Sequence, residues 1–140
     1  MSVAVAVASI VSTDPSGGLD ATQGEEIVEG TLTLSGNYGS SGSHGDTINF
    51  ALPQVESQLP PRRVEIFENQ GAGTAPLGYT YIYNNGTTQA NGVLTILGTP
   101  ASGGAEVGAT EFTQGAAYSA GSPSLSGAVL RFKAWFSKFQ

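Results

Sequence analysis

His44 is the chain's single histidine, set in a Gly/Ser turn between Ser41, Ser43 and Asp46. Those are the residue types of a Ser-His-Asp relay. Neighbours within one flexible turn cannot be held to the tight geometry that such a relay needs. There is no G-x-S-x-G elbow to present a nucleophile either. A zinc centre takes three or four His, Cys or carboxylate ligands; one histidine and no cysteine make a poor start. Paired carboxylates run glycoside hydrolysis when two of them converge. Glu65, Glu68, Glu106 and Glu111 fall on or near expected strands, and nothing in their spacing marks a pair. Glu25, Glu26 and Glu29, with Asp14 and Asp20, would suit a calcium ion by donor type. Their spacing departs from the D-x-[DN]-x-[DN]-G loop, so a solvated acidic segment is expected. Phosphate-cradling and dinucleotide-binding motifs are absent. The chain is therefore expected to carry no catalytic, cofactor-binding or metal-ligating residues.

Composition narrows the class further. Of 140 residues only 11% are charged, against roughly a quarter in an ordinary soluble domain. Twenty glycines, with many Ser, Thr and Asn, suit sheet and turn and make poor surface helix. The length allows one domain with a real core. Without cysteine, disulfides are excluded and the redox compartment is unconstrained. A net charge of −6 repels a polyanion, which points away from nucleic acid. The basic residues that exist are Arg62, Arg63 and a run from Arg131 to Lys138. No apolar run approaches the ~20 residues of a membrane helix.

The elements that would position any site read as strands of period two. The central stretch is 29–52, EGTLTLSGNYGSSGSHGDTINFAL, which reads as strand, long Gly/Ser turn and strand. Before it, residues 2–12 alternate valine and alanine up to Ala8 and lack the basic start of a signal peptide. They read as a strand of the domain's own sheet or as an extended N-terminal arm that adds to a neighbour's sheet. A turn-rich linker, 13–24, follows. The organisation expected is an arm and linker over 1–24 and one domain over 25–140.

Residues 53–61, with three prolines, read as an extended surface connection. In 62–69, Val64 and Ile66 face one way, Arg63, Glu65 and Phe67 the other. Residues 79–83, YTYIY, set three tyrosines on one face, either as ordinary strand or as a sugar-stacking platform. The Asn85-Gly86 and Asn91-Gly92 steps predict a tight connection with positive φ, leading to a buried strand at 93–97. A weaker strand candidate is 106–112, and 113–127 reads as loop. In 128–136, Leu130, Phe132, Ala134 and Phe136 oppose Val129, Arg131, Lys133 and Trp135. Roughly eight antiparallel strands at this spacing predict an all-β fold, a β-sandwich or jelly-roll-like barrel.

The run G-T-L-T-L-S-G-N-Y, its Gly-rich turn and G-D-T-I-N-F resemble small virion structural proteins of tailed bacteriophages. A strand like 62–68, an aromatic strand like 79–83 and a terminal strand like 130–136 follow in the same order. The insertion 40–44 lengthens the usual turn. The resemblance, over about 27–136, implies a head decoration (cement) protein. Such proteins sit on the virion's outer capsid surface, often as trimers, and clamp neighbouring major capsid subunits. On that reading Val3, Val5 and Val7 serve strand addition. Arg131, Lys133, Trp135 and Phe139 form an aromatic and basic patch against the capsid or a sister subunit. A carbohydrate- or host-surface-binding module of a phage fibre, using Tyr79, Tyr81 and Tyr83, is the alternative.

Overall fold

The computed structural model describes residues 3–13, 24–39, 44–69, 76–98, 109–121 and 123–137. Among the described residues eight strands run β1 (Val3–Thr13), β2 (Glu25–Leu34), β3 (Asp46–Ile48), β4 (Arg63–Glu68), β5 (Tyr79–Asn84), β6 (Gly92–Gly98), β7 (Thr110–Glu111) and β8 (Val129–Ser137). One 3₁₀ turn, Tyr118–Ala120, lies between β7 and β8. The strands form two antiparallel sheets. The first has the order β1-β2-β8-β4; the second has β3-β6-β5, with β7 on β6 as well. The fold is thus an open sandwich and not a closed barrel.

Alternation decides what goes inside. Along β2 the even positions are buried, and along β8 Leu130, Phe132, Ala134 and Phe136 are buried while Val129 and Arg131 are exposed. The core fills with Val28, Leu32, Leu34, Ile48, Phe50, Leu94 and Ile96. Phe50 binds the layers together: its ring centroid lies 5.2 Å from Phe132, 5.8 Å from Tyr83 and 5.9 Å from Phe136. β8, apolar on one face and mixed on the other, is paired on both sides.

Three sequence-based expectations change. Residues 29–52 do not form a hairpin, because β2 pairs with β1 and β8 while β3 pairs with β6. The segment crosses between sheets. β1, the candidate arm, pairs along its length with β2 in its own chain, and Val3 is buried in the core. Residues 53–61 are not a loose surface connection either, since Val55, Ser57 and Pro61 are buried. They are drawn in by Glu26, fully buried on β2, whose two carboxylate oxygens accept the Glu56 and Ser57 N–H groups at 3.0 and 2.9 Å. An acid expected to be solvated is a structural anchor. Charge-assisted bonds of this kind contribute about 1.5–3 kcal/mol each.

Two glycine positions are fixed by space. The expected hairpin of β5 and β6 forms, yet neither Gly86 nor Gly92 has a positive φ. A Cβ on Gly92 would sit 1.8 Å from the Tyr83 hydroxyl, so close approach selects the glycine. Gly30 faces a bulge in β1 between Val7 and Ser9, and its Cβ would lie 2.0 Å from the Ala6 carbonyl oxygen. Gly30→Ala must push backbone aside. Denaturant titration is expected to show a loss of about 3 kcal/mol, whereas Gly36→Ala, with open space around it, is expected to cost about 1 kcal/mol through its positive φ.

Candidate interface on the outer face of the first sheet

Strand register sets the side chains of this face in rows. Val11, Ile27, Trp135 and Arg63 share one row across all four strands; Ser9, Glu29, Lys133 and Glu65 share the next; Ala6, Thr31, Arg131 and Phe67 the third. The Arg63 guanidinium carbon lies 5.1 Å from the Trp135 ring centre, and Lys133 Nζ lies 5.4 Å from it. The indole is thereby held between two cations. Arg131 stands 6.0 Å from the Phe67 ring. Each such contact contributes roughly 0.5–1 kcal/mol at an exposed site. Lys133 pairs with Glu29 at 3.0 Å and Arg63 with Glu65, while Arg131 has no ion pair among the described residues.

The face is apolar as well as charged. Val11 is 57% exposed and Phe67 46%. Four of the chain's five cations, Arg62, Arg63, Arg131 and Lys133, lie on β4, β8 or the residue leading into β4. They share that side with Glu25, Glu29 and Glu65, so the face carries only a slight excess of positive charge on an otherwise anionic chain.

The expected patch is therefore assembled in part. Arg131, Lys133 and Trp135 come together on the outer face, and Trp135 is not a core residue. Phe139 and Lys138 lie outside the described residues. Val3, Val5 and Val7 are not on this surface: Val3 is buried, and Val5 and Val7 pack against the same core. Sequence reasoning missed Arg63, Glu65 and Phe67 as members of the patch. Their shared side of β4 was legible from alternation, but the adjacency of β4 to β8 was not.

The residues of possible chemistry are used otherwise. Asp46, on β3, accepts the Gly39 N–H at 2.8 Å and the Tyr118 hydroxyl, not His44. His44 is exposed, and its Nδ1 lies 3.1 Å from Glu111 and 2.9 Å from Gln114. Ser41, Ser43 and Glu106 fall outside the described residues. The Tyr38 hydroxyl donates to Glu111 at 2.9 Å and accepts the Ile96 N–H at 3.2 Å. It fills the gap that β3 and β7 leave along β6. Glu68 accepts from the Leu77 N–H at 2.8 Å and the Tyr81 hydroxyl at 3.3 Å. Glu65 faces out beside Arg63, so these carboxylates do not gather in one cleft. Among the described residues no group of three or more His, Cys, Asp or Glu is placed to hold a metal ion.

The tyrosine row turns inward. Tyr79, Tyr81 and Tyr83 pack against the core, and Thr80, Ile82 and Asn84 are the exposed set. The rings are half-buried, and Tyr79 and Tyr81 line one side of an open groove shared with Phe67, Glu68 and Arg131.

No family model, no curated protein and no solved structure matches this chain.

Protonation follows from these contacts. Burial raises the pKa of Tyr38, Tyr81, Tyr83 and Tyr118, the Tyr83 value to about 12. Neighbouring acids add to the rise at Tyr38 (Glu111), Tyr81 (Glu68) and Tyr118 (Asp46). Burial also pushes Glu111 up, but hydrogen bonds from His44, Tyr38 and Gln114 outweigh it and lower its pKa. The raised tyrosines contribute stability that is complete below the unfolded tyrosine pKa of about 10 and is lost as pH rises above it. The lowered Glu111 contributes stability above about pH 4.3 that is lost as pH falls through its folded value. Tyrosinate absorbance followed with near-ultraviolet circular dichroism is expected to show four tyrosines ionising together with unfolding, well above pH 10. Independent ionisation near pH 10 in a folded protein would contradict this assignment.

Proposed function

We propose that this protein is a non-catalytic structural component of a virion, which binds the outer surface of an assembled phage capsid and strengthens contacts between major capsid subunits. The observation that carries the reading is the outer face of the first sheet. It combines an indole between two cations, a second arginine over an exposed phenylalanine, and an exposed valine. Tryptophan and arginine are the residue types enriched in binding hot spots, and arginine with aromatics in interface cores. The concentration of cations on one side of an anionic chain suits an acidic partner surface and keeps the opposite face repelled by it. A protein that binds the assembled shell and not its free subunits stabilises that state by mass action. The carbohydrate-binding alternative is less favoured, because Tyr79, Tyr81 and Tyr83 pack against the core and do not stand as an exposed row.

The reading is tested by co-sedimentation with intact tailed-phage heads and with disassembled capsid protein. Recovery is expected with intact heads only, declining with added salt. Trp135→Ala is expected to weaken binding by about 2 kcal/mol, roughly thirtyfold, and Arg131→Glu to weaken it further, with folding retained because both side chains lie on the outer face. Equal recovery of wild type and both variants would remove this face from the mechanism.

A further inference from the structure

Every strand edge in an open sandwich is a row of unpaired N–H and C=O groups, and proteins commonly blunt such edges with charge, proline, brevity or cover. Three edges here are managed that way. β4 carries Arg63, Glu65 and Glu68 and follows Pro60 and Pro61. β3 and β7 are three and two residues long. β5 lies beside β4, with Glu68 bridging to Leu77 and Tyr81 across the seam. β1 differs. It is the longest strand, eleven residues, with no charge and no proline. It ends the first sheet and comes near β3 of the second, yet among the described residues only β2 pairs with it. Its outer-face side chains Ala4, Ala6 and Ser9 are small and exposed, and Val11 is the most exposed large apolar residue described.

We infer that the free edge of β1 pairs with β1 of a second copy of this chain, antiparallel about a two-fold axis passing between Val7 and Ala8. The bulge selects this occupant. A bulge ordinarily turns an edge away from foreign strands. Here it lies at the midpoint of the strand, between Val7 and Ser9, so a two-fold axis there brings the two kinks together. The bulge also exchanges the faces: Val3, Val5 and Val7 point inward before it, and Ile10 after it. The axis then sets Val5 opposite Ile10 of the second copy on the core side. On the outer side it sets Ala4 opposite Val11 and Ala6 opposite Ser9. Except at the axis, where Val7 meets the bulged Ala8, like faces meet like; Val11 gains a neighbour, and no charged residue of β1 enters the seam. The result is one continuous eight-stranded sheet with an isologous interface. The inference is independent of the capsid reading, because it concerns the edge of the sheet and not its outer face.

Sedimentation velocity and light scattering of the full chain test it. Wild type is expected to be a dimer that dissociates on dilution, with β1 amides exchanging hydrogen faster as it does. Ala4→Lys places an ammonium against Val11 and is expected to raise the dissociation constant at least about tenfold. Ser9→Lys, on the other half of the strand, is an independent variant with the same expectation. The double variant Ala4→Lys with Val11→Glu makes two opposite-charge cross-strand pairs and is expected to restore the dimer. Thermal unfolding of dilute protein checks that each variant keeps the fold. A wild type that is monomeric or trimeric at every concentration overturns the inference. So does a dimer indifferent to Ala4→Lys and Ser9→Lys, or a double variant that fails to recover.

Discussion

Among the described residues the two sheets share no ladder hydrogen bonds; besides apolar packing and loop backbone bonds such as the Tyr38 N–H to the Ala116 carbonyl, a small set of carboxylates joins them. At one end Glu26 of the first sheet grips the 53–61 segment through the Glu56 and Ser57 N–H groups. Ser57 continues the link, donating to the Ser137 carbonyl at 2.7 Å and accepting from the Gln89 amide. Gln89 in turn accepts the Phe50 N–H at 2.9 Å. At the other end Asp46 and Glu111 hold Tyr118, Tyr38 and the Gly39 N–H. Along one side Glu68 joins β4 to β5. A buried carboxylate is costly unless its lone pairs are filled. Here backbone N–H groups and phenols fill them, and those donors belong to the segments that must cross between layers. In a chain without disulfides this places polar cross-links at the rim of an apolar core.

That arrangement frees the rest of the surface. With the inner faces and the rim committed, the outer face of the first sheet is left for recognition. β8 supplies its centre because it is paired on both sides, which makes it a rigid platform for Arg131, Lys133 and Trp135. Glu29 and Glu65 temper the cations from the flanking strands, while Arg131 makes no ion pair among the described residues and lies against Phe67. Rigid aromatic anchors of this kind lose little side-chain entropy on binding.

Legibility in the sequence followed the range of the interaction. The alternation of β4 and β8 named the faces of Val64, Ile66, Phe67, Leu130 and Trp135, because side-chain direction in a strand is a local, period-two property. The Asn-Gly steps marked the β5–β6 connection but not the reason for Gly92, which is the distant Tyr83 ring. Glu26 looked like a solvated acid and Asp46 like a turn neighbour of His44, because sequence carries no sign of which backbone N–H groups will converge on a carboxylate. The inward turn of the tyrosine row followed from which face of β5 meets the other sheet, a choice that alternation leaves open.

By itself, the sequence determined an all-β chain of about eight strands, the two faces of each strand, and the lack of cysteine chemistry. Each of these depends on residue type and spacing over a few neighbours. Only the tertiary structure decided that 29–52 crosses between sheets, that β1 belongs to its own chain's sheet, and that β4 lies beside β8 to enclose Trp135 between Arg63 and Lys133. Those are pairings between segments far apart in the chain. They are chosen by the fit of whole apolar faces and by the few buried carboxylates that need donors, and no local pattern records them.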